Sequence, residues 1–185
     1  MPFEPKATDS RKITRETVLQ GEVRASDDPR LELNTVLGSC IATCLYDPKV
    51  KVGGMNHFLL AEPPKSAQPG EVDEHFGVYL MELLINQMMA LGASKRRMKA
   101  RIYGGANMHA GWRPIGTVNA QFARDFLERE GIELTFADTG DACARRVHFR
   151  PASGQVKCKK NETEAPPVQQ AVAPRRETHG DVELF

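Results

Sequence analysis

Eight short runs with strand character, set against only two segments with helical periodicity, restrict what this chain can fold into. The runs are VLQGEV (18–23), LELN (31–34), IATCLY (41–46), VGGMNHFLL (52–60), KARIY (99–103), IELTFA (132–137), RRVHF (145–149) and GQVKCK (154–159). Most are rich in β-branched, aromatic or alternating apolar residues and are bounded by turn-forming ones. Between Asp73 and Leu91, the residues Phe76, Leu80, Leu83, Leu84, Met88 and Leu91 recur at helical spacing, with Asp73 as N-cap and Gly92 just past the end. Phe122, Phe126 and Leu127 make a second helical stripe between Thr117 and Glu130, closed by Gly131. Strands follow one another at both ends of the chain, without a regular β-α-β alternation. This predicts an α+β fold, a layered α-β sandwich whose sheets are mixed and largely antiparallel, with two main helices.

A chain of 185 residues with 41% hydrophobic content suffices for one domain with a real core, expected over 17–160. Residues 1–16 are polar and broken by prolines, and read as a flexible arm. From 161 the composition turns to Pro, Ala, Gln and charge, which predicts a disordered tail over 161–185. With 25 Lys and Arg against 24 Asp and Glu, there is no global field to recruit nucleic acid or an anionic membrane. No stretch offers the roughly 18 consecutive apolar residues of a membrane span, and the N-terminus lacks an apolar signal core; a cytoplasmic protein without membrane insertion is expected.

The four cysteines, Cys40, Cys44, Cys143 and Cys158, form no CxxC pair. In a reducing compartment they predict no disulfide framework. Cys40 and Cys44, on one strand, would lie about 13 Å apart, too far to hold one zinc. Neither metal nor cofactor is expected.

Asp47-Pro48-Lys49 has turn chemistry and separates two strand-like runs, which predicts a β-hairpin. With 47–50 as the loop and Tyr46 facing Lys51, the ladder sets Cys40 directly opposite His57, on one sheet face with Cβ atoms about 5 Å apart. A bulge at Gly53-Gly54 would slip the pairing by one residue and turn His57 away. Taken singly, Cys40 reads as a small core residue and His57 as a buried structural histidine; together they suggest a nucleophile and its base.

A free thiol with a pKa near 8.5 is only a few per cent thiolate at neutral pH. An imidazole in contact takes its proton and later protonates a leaving amine. A third group must orient that imidazole. Thr35 and Asn34, just upstream of the Leu-Gly-Ser turn, are the nearest candidates with a suitable oxygen. Gly38 and Ser39 allow a tight turn that leaves an N–H, such as that of Cys40, for a developing oxyanion.

Four segments, LGSCIATCLYDP, VGGMNHFLL, RIYGGANM and IELTFADTG, resemble in that order the motifs of the chemoreceptor glutamine deamidase family, CheD, of bacterial chemotaxis; the resemblance extends over roughly residues 18–159. It implies hydrolysis of selected glutamine side chains on the cytoplasmic helices of chemoreceptors to glutamate, with loss of ammonia. It also implies a layered fold related to cytotoxic necrotizing factor deamidases. The family nucleophile falls on Cys40 and the family histidine on His57. The family threonine falls on Thr35 or Asn34, and Thr35 is the assignment adopted. The resemblance adds the phosphatase CheC as a partner. A non-catalytic adaptor that binds chemoreceptors or such a phosphatase is the alternative, and proteolysis or transglutamination on the same geometry is a third reading.

The segment Tyr103-Gly104-Gly105-Ala106-Asn107-Met108 lacks the GxGxxG spacing of a nucleotide loop and reads instead as a glycine-rich wall of the cleft, open to a substrate backbone. Lys95, Arg96, Arg97, Lys99 and Arg101 read as a solvated connection after the first helix. His75, His109 and His148 have no mutual spacing that makes a site. Asp138 to Asp141 reads as a turn, and its family match sets it near the cleft.

Overall fold

The computed structural model describes residues 12–60, 75–107 and 114–161. Two sheets and a pair of helices stack in three layers. The outer sheet has the strand order β1-β3-β8-β9, from β1 (Thr14–Thr17), β3 (Leu31–Leu37), β8 (Ala144–Arg150) and β9 (Gln155–Asn161). The central sheet has the order β2-β5-β4-β6-β7, from β2 (Val23–Ser26), β5 (Val52–Phe58), β4 (Ile41–Asp47), β6 (Lys99–Gly104) and β7 (Glu133–Thr139). Among the described residues, only β1·β3 and β6·β7 pair in parallel. The expected α+β class, with mixed and largely antiparallel sheets, is what the chain adopts.

Helix α1 (His75–Ala90) buries Leu80, Met81, Leu84, Ile85 and Met88, and α2 (Ile115–Arg129) buries Phe122, Ala123, Phe126 and Leu127, against one face of the central sheet. The methionines Met81 and Met88 fill core there. Both helices stop where the sequence predicts, in the same way. Gly92 and Gly131 take positive φ, and the amides of Ala93 and Ile132 reach back to Met88 O and Leu127 O. The N-cap expectation at Asp73 lies outside the described residues.

Period-two alternation splits β4, β5 and β6 between two cores. Ile41, Leu45, Val52 and Phe58 face the helices, while Ala42, Cys44, Met55 and Tyr103 meet Leu31, Leu33, Leu37, Val147 and Phe149 of the outer sheet. Phe58 is fully buried and meets Phe122 edge-on at 5.6 Å, a pair that adds about 0.5–1.5 kcal/mol beyond area burial. It anchors the end of β5 immediately after His57.

Four expectations need correction. Thr14, Arg15 and Glu16, read as part of the flexible arm, belong to β1 and pair with Leu31, Glu32 and Leu33; short and polar, Thr14–Thr17 carries no apolar alternation to betray it. Asn161, read as the first residue of the tail, is the last of β9 and pairs with Ala144; residues 1–11 of the arm and 162–185 of the expected tail lie outside the described residues. VLQGEV is not one strand: Val18 to Glu22 form a turn closed by Glu22 N–H on Leu19 O, and only Val23 enters β2. The β4–β5 hairpin turns at Pro48 to Lys51, with Lys51 at φ 57° and its N–H on Asp47 O. His57 therefore faces Ala42, not Cys40. No bulge interrupts this ladder. Gly53 and Gly54 serve close packing instead, because a Cβ would fall 2.5 Å from Pro151 O at the first and 2.6 Å from Leu84 Cδ1 at the second.

Candidate active site

The site is built between the two sheets, where the chain crosses from one to the other. Strand β3 alternates inward Leu33, Thr35 and Leu37 with outward Val36, so Thr35 joins the inner face from the outer sheet. Gly38, Ser39 and Cys40 carry the chain across to β4. On the central sheet His57 shares the inward face of β5 with Met55. Moving the hairpin turn by one residue shifted the ladder by two, so His57 kept its face. Cys40 lies just before β4 and packs against the same inter-sheet core.

Thr35 and His57 are 2% and 4% exposed and meet across the sheets: Thr35 Oγ1 lies 2.9 Å from His57 Nδ1. Thr35 donates its hydroxyl hydrogen to Val18 O at 2.8 Å, which leaves its oxygen as the acceptor toward the ring. Val18 O also lies 3.2 Å from Nδ1. A carbonyl oxygen cannot face a lone pair at that distance, so the proton resides on Nδ1. Nε2 then carries the free lone pair. It is buried and has no hydrogen-bond partner. A buried, unpartnered acceptor is costly in a fold and is what a general base requires.

The turn at Val18 to Glu22 clamps this histidine. Gly21 N–H donates to His57 O at 2.7 Å, and His57 N–H to Glu22 O at 3.1 Å. The same turn delivers Gln20, whose Oε1 accepts the Cys40 thiol at 3.5 Å. Burial pushes the Cys40 thiol up to about 11, against a smaller opposing effect of its own backbone N–H. Burial likewise holds the His57 imidazole below its ordinary 6.5, opposed by the Val18 backbone bond and the Glu22 charge. The resting pair is a neutral thiol and a neutral imidazole. Asn34 turns the other way: its Nδ2 donates to Glu16 O at 3.0 Å and its Oδ1 accepts from Thr17. Of the two sequence candidates for orienting the imidazole, Thr35 is the one in contact.

Behind the turn that carries Cys40, Gly105 N–H donates to Cys40 O and Ala106 N–H to Gly38 O, both at 2.8 Å. Gly104 sits at φ +108°, and a Cβ there would fall 2.2 Å from Cys40 O. Gly104 thus permits the close approach of the turn that carries Cys40, and Gly105 that of α2, since a Cβ there would fall 2.5 Å from Gly116 O. The turn after β7 packs on the same segment, through Gly140 N–H on Gly104 O and Asn107 N–H on Asp141 O. It is held by Arg145, 0% exposed, which reaches Asp138 at 2.9 Å and Gly140 O at 2.8 Å.

The basic run after α1 is partly structural. Arg97 reaches the fully buried Asp47 carboxylate at 2.8 Å, and Lys95 pairs with Glu130. His148 bonds Glu32, away from Cys40, and His109 lies outside the described residues. Sequence reasoning missed Val18 O, Gln20 and Asn119. Asn119 lies on α2, and its Nδ2 donates to Ser39 O at 2.9 Å. Among the described residues no three His, Cys, Asp or Glu side chains come together so as to hold a metal ion. No helix among them is long and apolar enough to cross a membrane.

Comparison with known proteins bears on this site. The family model "CheD chemotactic sensory transduction" matches residues 59–160. Over 168 residues, 91% of each chain, the sequence is 49% identical to a probable chemoreceptor glutamine deamidase CheD of Zymomonas mobilis. It is 43% identical over 184 residues to the protein of that name in Caulobacter sp. strain K31, covering 97% of both chains. Among solved structures, a Neisseria meningitidis protein of family DUF152 is similar at TM-score 0.47 and 11% identity, over 70% of this chain and 65% of that one. The candidate site of Cys40, His57 and Thr35 thus lies in a chain related over nearly its whole length to the Zymomonas and Caulobacter proteins, and the chain belongs to the CheD family.

Proposed function

We propose that this protein hydrolyses selected glutamine side chains of chemoreceptors to glutamate, with Cys40 as nucleophile, His57 as base and acid, and Thr35 as the group that orients His57. The observation that carries this reading is the state of His57: Nδ1 is committed to Thr35 Oγ1 and Val18 O, so that Nε2 is a buried lone pair with no partner. Its relatives are named probable chemoreceptor glutamine deamidases, which supplies the substrate class. The enzyme works in the cytoplasm, on the cytoplasmic helices of the receptors. Binding of a CheC-type phosphatase is the further partner that the family suggests.

The chemistry follows from the two neutral groups. A substrate carboxamide displaces Gln20 from the thiol, and His57 Nε2 takes the Cys40 proton as Sγ attacks the amide carbon. The new oxyanion is met by the Cys40 N–H. Imidazolium returns its proton to the nitrogen, the C–N bond breaks, and ammonia leaves a thioester on Cys40. Water, deprotonated by Nε2, then cleaves the C–S bond to give glutamate and the free thiol. Because burial disfavours both charged forms, the ion pair arises during attack and is not stored in the resting enzyme.

Mass spectrometry of a cytoplasmic receptor fragment, incubated with the parent or with Cys40→Ala, tests the reading. Glutamine-to-glutamate conversion by the parent alone is expected. If neither protein converts a glutamine while both bind the fragment, the chain is an adaptor instead.

A further inference from the structure

Three consecutive carbonyls of the nucleophile turn are held by donors. Gly38 O and Cys40 O take the backbone amides of Ala106 and Gly105, and Ser39 O takes the side chain of Asn119. Asn119 is 0% exposed, and its other end, Oδ1, accepts Leu60 N–H at 3.0 Å. Leu60 follows His57 by three positions on the same segment. One carboxamide therefore ties the backbone that carries Cys40 to the backbone that carries His57. The neighbouring core positions of α2, Ala120, Phe122 and Ala123, are apolar, so packing alone does not call for an amide at 119.

A trans peptide unit is planar, with its C=O and N–H pointing in opposite directions. Holding Ser39 O toward α2 turns the Cys40 N–H away from α2. Among the described residues it donates to no backbone carbonyl. It is a fixed donor on the residue whose Sγ bonds to the carbon of the tetrahedral intermediate.

We propose that Asn119 is a positioning residue of the deamidation: through Ser39 O it aims the Cys40 N–H at the developing oxyanion, and through Leu60 N–H it sets the spacing of nucleophile and base. This rests on the deamidase reading above.

The test uses the full chain with Asn119→Ala and Asn119→Asp. Four quantities are read: kcat and KM on a receptor fragment, affinity for a peptide bearing an aldehyde in place of the glutamine carboxamide, alkylation of Cys40 by iodoacetamide, and thermal unfolding. Loss of an aimed oxyanion donor predicts kcat down about 100-fold in Asn119→Ala, with KM within about twofold. Aldehyde affinity should fall in parallel, because its adduct with Cys40 bears the oxyanion. Alkylation, which forms none, should stay within about threefold. In Asn119→Asp the protonated carboxyl can again donate to Ser39 O, so kcat relative to the parent should rise as pH is lowered. If Asn119→Ala does not fold, a flat ratio in Asn119→Asp overturns the proposal. Equal loss of kcat, KM, alkylation and thermal stability, without acid rescue, also overturns it. A parent that converts no glutamine, yet binds the aldehyde and loses that binding in Asn119→Ala, defeats the deamidase reading and leaves the positioning role standing.

Discussion

Thr35 Oγ1 meets His57 Nδ1 at 2.9 Å from the opposite sheet, so the orientation of the imidazole depends on the packing of the two sheets. Thr35→Val removes the acceptor while keeping the shape. A hydrogen bond to a group that becomes charged is worth about 1.5–3 kcal/mol, so kcat should fall about 10- to 100-fold. Val18 O still holds the tautomer, which keeps the loss below that of an inverted ring. Thr35→Ser should restore most of the rate; steady-state kinetics on a receptor fragment would show equal loss in both variants if the hydroxyl were irrelevant.

Gln20 accepts the resting thiol proton, and in the proposed mechanism a substrate carboxamide displaces it. Gln20→Ala removes a hydrogen bond that favours the neutral thiol and admits water. Iodoacetamide should then alkylate Cys40 about fivefold faster at pH 8, the equivalent of about 1 kcal/mol. Unchanged or slower alkylation would show that Gln20 does not restrain the nucleophile.

The pH dependence has two limbs. His57 is held below 6.5 by burial, so between that folded value and 6.5 the unfolded chain binds more protons. Its contribution to stability is whole above 6.5 and is lost as pH falls through the folded value. Urea midpoints at pH 7.5 and pH 5 should therefore drop more in the parent than in His57→Gln. The acid limb of kcat should lie below 6.5, since the neutral ring is the base. Without substrate, alkylation of Cys40 should keep rising toward about pH 11.

Gly104→Ala should disable the site without touching a catalytic group. The added Cβ meets Cys40 O, and the positive φ alone costs about 1–3 kcal/mol. Loss of deamidation with retained cooperative unfolding by circular dichroism is expected; full activity would mean that the nucleophile turn tolerates displacement.

Asp138→Ala should cost about 3–5 kcal/mol in chemical denaturation, because it strips the buried Arg145 guanidinium of its best-aligned carboxylate. A change under about 1 kcal/mol would mean that Asp141 and the carbonyls of Gly140 and Cys143 suffice.

Much of this was legible because strand alternation and helix-stopping glycines are local signals. The hairpin turn was placed one residue early, yet His57 stayed on the predicted face, since that error moves a ladder by two and side chains alternate with period two. The choice of Thr35 over Asn34 was also available in sequence: Leu33 and Leu37 lie on its parity, and Asn34 does not. What escaped was non-local or carried by the backbone. Val18 O has no residue signature, Gln20 precedes Cys40 by 20 positions, and Asn119 follows Ser39 by 80. Arg145 looked like an ordinary charged strand residue until the fold enclosed it.

The most direct test is acid-quenched single turnover of the parent with a glutamine-containing receptor peptide, followed by digestion and mass spectrometry of the Cys40 fragment. The account predicts a transient adduct on Cys40 with the mass of the substrate less ammonia, absent in Cys40→Ala and appearing far more slowly in His57→Gln. Glutamate formed at parental rates by Cys40→Ala, with no adduct on Cys40 in the parent, would contradict it.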